Sequence, residues 1–366
     1  MSATIVAPTV PWTTSAPARV AADVRVALLG TGAVGTAFLQ RLQDVRRSAQ
    51  PSVTLVHVAN SRRAVSAVDG LDPAEAGVAI EVSRRPSLLD DAEIALLPCG
   101  DSTRVLVDAT ASAEVALRHP HWLERGVHVV TACKIATGGP LSQSWRLAGA
   151  AQRGGTTYGD SATVGAGLPV LRTIRELRRG GDTILRLRGV LSGSLAWLLH
   201  EYDGTTPFST LVHQARALGY TEPDPRVDLS GADVVRKLLI LTRAAGASLE
   251  PADIRVEPLV APGRSDSGLD ALLSAGEADL AARLAAARRS GQVLRYVARW
   301  DEGGARVGVE SLAPEDPLAP GSGCDNRVAI YSSRYRTSPL VLQGPGAGPD
   351  VTAAALLDDV LRVVRH

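Results

Sequence analysis

The chain has 366 residues, of which 45% are hydrophobic and 21% charged, with a formal net charge of +1 and only 4% aromatics. This balance argues against a nucleic-acid surface, a base-stacking platform or an anionic-membrane binder, and no run reaches the roughly 18 apolar residues of a membrane span. Cys99, Cys133 and Cys324 lie far apart; they form no CxxC pair and no disulfide framework, which suits a reducing, cytoplasmic compartment.

Length favours two domains over one. Residues 1–23 are rich in Pro, Ala and Thr. They lack a basic start and an unbroken apolar stretch, so they read as a disordered tail and not as a signal peptide. VRVALLG (24–30) is a buried strand, AVGTAFLQRLQDVRR (33–47) has helical apolar spacing, and VTLVHVAN (53–60) is a second strand. TRVLVDAT (103–110) and GVHVVTACK (126–134) are two further strands, with the helical SAEVALRHPHWLERG between them. Strands alternating with helices predict a parallel sheet in an α/β fold. His119, His121 and His128 make no metal centre on this reading, because no Cys or acidic pattern accompanies them and Pro120 interrupts helical spacing.

The middle of the chain reads differently. LPVLRTIRELRRG, SGSLAWLLHEY, FSTLVHQARALG and GADVVRKLLILTRAAG are helical, and DTILRLRGVLSG is a strand entering a Gly-Ser turn. Residues 312–326 form a Pro/Gly-rich loop, RVAIYSS and SPLVLQG are strands that pair, and VTAAALLDDVLRVVRH is an amphipathic helix.

GTGAVG (30–35) matches G-x-G-x-x-G between a strand and a helix. Gly30 permits a tight turn, Gly32 lets the backbone approach a pyrophosphate, and Gly35 lets helix and strand pack closely. Ala33 and Val34 open the helix whose N–H groups face the phosphates. A Gly-rich turn without ligand and the looser loop of methyltransferases are the competing readings. After the second strand come Asn60, Ser61, Arg62 and Arg63, with no acid for a ribose 2′-hydroxyl. Two arginines suit a 2′-phosphate, so NADP is expected, with NAD as the alternative.

Polar groups cluster at the ends of the later strands: Asp108-Ala109-Thr110 and Thr131-Ala132-Cys133-Lys134. A lysine there can reach a carbonyl oxygen and stabilise alkoxide charge; a solvated strand-end lysine is the plain alternative. In YTEPDPRVDLSGADVVRKL (220–238), Ser230 and Asp233 read as a capping box, and Asp233 and Lys237 as an i, i+4 pair. Glu222 and Asp228 stay unexplained by those local readings. On residue types alone, cap and site are equally supported.

Taken together, GTGAVG, VDATAS, GVHVVTACK, ATVGAGLP, RGVLSGSLAWLL, ALGYTEPDPRVDLSGADVVRKL and GPGAG…VTA, in this order over about residues 24–366, resemble the homoserine dehydrogenase family. The resemblance implies a Rossmann-type nucleotide-binding domain (24–159, completed by 344–366) and an α+β catalytic and dimerisation domain (160–343). It implies hydride transfer between NAD(P) and the pair L-aspartate 4-semialdehyde and L-homoserine, in a homodimer. Lys134 and Lys237 would be the lysines of the hydride-transfer site, with Asp233 orienting Lys237 or a water. Glu222 and Asp228 would bind the substrate amino group, with Gly193, Ser194 and Tyr220 lining the pocket. Thr110 and the turn from Gly346 to Gly348 would lie near the nicotinamide.

Four positions depart from the family pattern: Cys133 for Asn, Ser161 for a cation-binding Glu, Ser194 for Thr, and Ala109 for a polar residue. Asp160 could stand in for the missing Glu by a one-residue slip, and the carbonyls of Val164, Ala166 and Leu168 could hold sodium or potassium weakly. A paralogue reducing a related amino-aldehyde, and a nucleotide-binding protein without catalysis, are the alternatives. Only 18 residues follow Gly348, so the expectation is a short form without an ACT domain or an aspartate kinase portion.

Overall fold

In a computed structural model the described residues are 23–45, 52–97, 100–260, 268–321 and 323–363. The tail reading for 1–22, Cys99, and the ends of the first and last predicted helices lie outside them. The first half contains β1 (Val24–Leu29), α1 (Ala33–Val45), β2 (Val53–Ala59), β3 (Ala64–Leu71), α2 (Pro73–Val82), α3 (Leu89–Ala95), β4 (Thr103–Asp108), α4 (Ala113–Glu124), β5 (His128–Thr131), α5 (Leu141–Gly154) and β6 (Tyr158–Gly159). The second half contains α6 (Val170–Arg179), β7 (Ile184–Val190), α7 (Gly193–Glu201), α8 (Phe208–Ala217), α9 (Pro225–Leu229), α10 (Ala232–Ala244), β8 (Ile254–Val256), α11 (Leu269–Arg289), β9 (Val293–Asp301), β10 (Gly304–Leu312), β11 (Asp325–Ser332), β12 (Leu340–Pro345) and α12 (Pro349–Val363).

The first sheet has the order β3-β2-β1-β4-β5-β6. All its pairings are parallel except β2 with β3. All six β1 residues are buried, as expected of a central strand covered on both faces. Strand order reverses between β2-β1 and β4, which places a crevice at the carboxyl ends of β1 and β4. The second sheet, β12-β11-β7-β9-β10-β8, is antiparallel except for β8 beside β10. The protein is therefore α/β with a doubly wound first sheet and a mixed α+β second half. Chain order and space part company at the end: Ala353, Leu356, Leu357 and Val360 of α12 join the apolar core of the first sheet.

Three sequence readings need correction. The helical middle also holds β9 and β10, a hairpin of two nine-residue strands, because α11 carries the preceding apolar positions and the chain then alternates. Pro120 does not interrupt α4, which runs through it to Glu124; the lost N–H is tolerated in a helix packed on both the sheet and α5. The capping box at Ser230 does not form. Gly231, at φ 73°, is the N-cap of α10, and the Ser230 hydroxyl donates to Val227 O at 2.7 Å. The Asp233 carboxylate makes no cap hydrogen bond and pairs with Lys134 and Lys237 instead.

Candidate active site

Gly30, Thr31 and Gly32 after β1, Asn60 to Arg63 after β2, and Ala109 to Ala111 after β4 line one cleft of about 530 Å³. The three motif glycines have different causes. A Cβ on Gly30 would lie 2.9 Å from the Ala109 backbone, and one on Gly35 would overlap the Gly30 carbonyl. Packing inside the fold demands both. A Cβ on Gly32 would meet nothing within 4 Å, so close approach of a ligand is the remaining physical reason for it. Ala33 and Val34 form the first turn of α1, where N–H groups lack helical acceptors. Val34 also sets its side chain against the first core. The pyrophosphate of a dinucleotide therefore fits this loop.

At the ribose end, Asn60 Oδ1 accepts the amides of Arg62 and Arg63, each at 2.9 Å. This turn presents two arginines side by side, both exposed. Arg63 donates to Glu81 O, and Glu81 lines the same cleft. Sequence reasoning identified neither Asn60 as the organiser nor Glu81, whose position depends on α2 folding back.

The second cluster joins the two halves of the chain. Lys134 follows β5; Asp233 and Lys237 are one turn apart on α10. Asp233 Oδ2 is 2.9 Å from Lys237 Nζ, and its Oδ1 is 3.4 Å from Lys134 Nζ. Lys237 Nζ also donates to Leu191 O at 2.7 Å. The pair is not the surface contact that sequence spacing suggests, since Lys237 is only 8% exposed. Burial pushes the Lys237 ammonium below its ordinary pKa; Asp233 opposes this and Lys134 adds to it. Burial also works to raise the Asp233 carboxyl, but the charges of Lys237 and Lys134 overcome it and hold the group at about 2. One carboxylate thus holds two ammonium groups together, one of them desolvated. This arrangement can polarise a carbonyl oxygen and exchange a proton with it.

Beside it, Asp228 Oδ1 accepts from the Ser194 hydroxyl at 2.8 Å and its Oδ2 accepts the Glu222 amide at 2.9 Å. Asp228 therefore ties the acidic loop to the first turn of α7. The exposed Glu222 carboxylate has no hydrogen-bond or ion-pair partner among the described residues. Tyr220 is half-exposed, its ring 5.5 Å from that of Trp197. Gly193 must be glycine, because a Cβ would sit 2.9 Å from Cys324 O. Gly346 lies against Asn326, and Gly348 immediately precedes α12, its carbonyl accepting from the Thr352 hydroxyl.

Under both loops lies a polar hub in which the strand-end groups Asp108, Thr110 and Thr131 meet His119 and Tyr158, two partners that sequence reasoning missed. Asp108, fully buried, accepts from Thr110 N (2.8 Å) and Thr110 Oγ1 (2.7 Å) on one oxygen. Its other oxygen takes His119 Nε2 (3.0 Å) and Thr131 Oγ1 (3.1 Å). Thr131 Oγ1 in turn accepts Cys133 N, at 2.9 Å, one residue before Lys134. His119 Nδ1 meets the Tyr158 hydroxyl at 3.0 Å, and burial pushes that phenol well above its ordinary pKa. The tautomer of His119 with its proton on Nε2 donates to Asp108 and accepts from the Tyr158 hydroxyl, which gives each ring nitrogen a partner. The other two histidines have separate uses: His121 meets Glu93 at 2.9 Å, and His128 accepts Thr157 N at 2.9 Å.

The cation expectation fares less well. Asp160 is buried and gives both oxygens to Arg175, at 2.5 and 2.9 Å, so it cannot replace the missing Glu. The Ser161 amide and hydroxyl go to Asp359 of α12 at 2.9 and 2.8 Å, and Asp359 also pairs with Arg362. Leu168 O accepts Val170 N, and Ala166 holds φ 50° in the turn. Val164, Ala166 and Leu168 thus offer carbonyl dipoles without an available carboxylate, a poor fit to a bound cation. Among the described residues no three His, Cys, Asp or Glu side chains are grouped as metal ligands.

Comparison with known proteins follows this division of the chain. A family model described as "Homoserine dehydrogenase, NAD binding domain" matches residues 30–159, and one described as "Homoserine dehydrogenase" matches 169–361. The chain is 41% identical over 355 residues to bifunctional aspartokinase/homoserine dehydrogenase 2 of Escherichia coli, covering 93% of this chain but 43% of that protein. The chain thus spans less than half the length of such bifunctional relatives. It is 34% identical to the homoserine dehydrogenase of Emericella nidulans, over 94% of this chain and 99% of that one. A crystal structure of a Candida auris protein of unknown function superposes with a TM-score of 0.87 at 31% identity, covering 94% of this chain and 99% of the other.

Proposed function

The chain belongs to the homoserine dehydrogenase family, and from that premise we propose that it reduces L-aspartate 4-semialdehyde to L-homoserine, reversibly, with NADP(H). The observation that carries this reading is the Asp233 carboxylate held between Lys134 and Lys237. The nicotinamide cofactor, when bound, supplies or takes the hydride. Lys237, desolvated and aimed by Asp233 and Leu191 O, stabilises the substrate oxygen and exchanges its proton. Lys134 adds positive charge at the same oxygen. Glu222, with an uncommitted carboxylate on a proline-stiffened loop, takes the substrate ammonium, and Asp228 adds negative charge beside it. Ser194, Gly193 and Tyr220 close that side.

On the cofactor side, Gly30, Gly32 and Gly35 with the first turn of α1 hold the pyrophosphate, and Thr110 with the turn at Gly346 to Gly348 borders the nicotinamide. Arg62 and Arg63 favour the 2′-phosphate, while Glu81 in the same cleft gives NAD a weaker foothold. Residues 24–159 with 344–366 act as the nucleotide-binding domain, 160–343 as the catalytic domain, and the second sheet as the homodimer contact. The unpaired thiols of Cys133 and Cys324 suit a reducing cytoplasm.

Initial rates with aspartate 4-semialdehyde and a panel of related amino-aldehydes, each with NADPH and NADH, test the proposal. We expect aspartate semialdehyde to have the highest kcat/KM and NADPH the lower KM. A different preferred aldehyde would replace the substrate assignment by that of a paralogue, and cofactor binding without turnover on the whole panel would refute the enzyme reading.

A further inference from the structure

Asn326, the second residue of β11, is 1% exposed, and its Nδ2 donates to Leu191 O at 3.3 Å. That same carbonyl accepts Lys237 Nζ at 2.7 Å. The amide orientation is decided by chemistry, since a carbonyl can only accept. Its Oδ1 has no hydrogen-bond partner among the described residues. A half-satisfied amide in an apolar interior costs stability that an apolar side chain of similar size would not. Folding alone therefore gives no reason for this residue.

Its surroundings do. Across the strand pair Asn326 faces Gly344, and its amide occupies the space that a Cβ on Gly346 would need. Two residues back, Cys324 fills the space beside Gly193. The segment 324–326 is thus wedged between the turn that carries Gly193 and the turn that carries Gly346. Asn326 is the side chain that touches both the acceptor of Lys237 and the cofactor-side turn.

We propose that Asn326 is a positioning residue for hydride transfer: it fixes Leu191 O, and through it Lys237, at a set distance from the turn at Gly346. The proposal rests on the role given to Lys237 above. Lys237 alternates between ammonium and amine as it exchanges its proton, and the amine form donates more weakly to Leu191 O. Asn326 keeps that carbonyl in place in both forms. It also shares the carbonyl's electron density, which weakens acceptance from the ammonium. Asp233 on its own helix, Lys134 after β5 and Asp228 on α9 are the charged groups that face Lys237, and Asn326 changes none of them.

The test is the single-turnover rate of NADPH oxidation against pH in the wild type, Asn326→Ala, Asn326→Ser, Gly346→Ala and Asn326→Ala/Gly346→Ala. We expect Asn326→Ala to slow hydride transfer about 10- to 100-fold, the scale of a misplaced catalytic group, with NADPH affinity within about 3-fold. The loss of rate at high pH should move to higher pH, because Leu191 O then serves the ammonium alone. Asn326→Ser should fall between, and it decides the matter if the alanine variant does not bind NADPH. Gly346→Ala should cost less in the Asn326→Ala background than in the wild type. A lower melting temperature with unchanged rate and pH limb would overturn the proposal. A wild type that does not turn over would instead overturn the reading of Lys237 on which it rests.

Discussion

Two aspartates, Asp108 and Asp233, each join separate parts of the molecule, and they do so in opposite ways. Asp108 is sealed from solvent and accepts from Thr110, Thr131 and His119, hydroxyls, an amide and an imidazole. Asp233 is 41% exposed at its side chain and faces two ammonium groups. The first arrangement fixes backbone: it pins the loop after β4 to the loop after β5. The second leaves charge at a surface where a small molecule can reach it. A buried carboxylate with neutral donors is a structural device, whereas a partly open one between two lysines, one of them desolvated, is poised for chemistry.

Breaking the open cluster should have the largest effect. Lys237→Ala is expected to lower the hydride-transfer rate by about 10³-fold or more, in line with removing both charge stabilisation and acid–base chemistry, while NADPH affinity stays within about 3-fold. Stopped-flow single turnover and fluorescence titration measure the two. An unchanged rate would remove Lys237 from the chemistry. Asp233→Asn should cost less, about 10- to 100-fold near neutral pH. Asp233 is the main partner that raises the Lys237 pKa, with Asp228 adding less, so the fall in reduction rate should move to lower pH. A limb that stays in place would mean that Asp233 and Lys237 are not coupled.

The sealed hub should answer differently. Asp108→Asn replaces one acceptor oxygen by an NH2 donor that faces other donors, so it should destabilise the fold by about 2–4 kcal/mol, read by denaturant unfolding. Its effect on rate should come with weaker NADPH binding, since Thr110 and the Lys134 loop loosen together. A Lys237-like loss of rate with normal stability would erase the distinction between the two aspartates. The smallest effect concerns cations. With Asp160 held by Arg175 and Asp359 by Arg362, replacing sodium or potassium by an organic cation should change the rate by less than about 2-fold. A strict requirement would show that the carbonyls of Val164, Ala166 and Leu168 suffice.

The same contrast explains what could be read from the chain alone. The loop at Gly30 to Gly35 was legible because its causes are local: a strand, a turn and a helix start in succession. The polar ends of β4 and β5 were legible because parallel strands present them at one edge. Asp233 and Lys237 were visible as a spacing, but their meaning came from Lys134, 99 residues earlier, and from Gly231 displacing the expected cap. Asp108 with His119 and Asn326 with Leu191 left no recognised pattern: the first pairing forms when α4 folds back on the end of β4, and the second joins residues far apart in sequence. β9 and β10 escaped for a related reason: a hairpin after a 21-residue helix has short alternation that a helical reading absorbs.

The central claim is that a desolvated lysine, tied to a second lysine through Asp233, handles the substrate proton. Single-turnover rates in both directions against pH test it most directly. Reduction needs the ammonium and oxidation needs the amine. We expect reduction to slow and oxidation to accelerate as pH rises through one shared pKa, lying below the ordinary lysine value of about 10.4. Flat profiles, or limbs at two unrelated pH values, would contradict the claim.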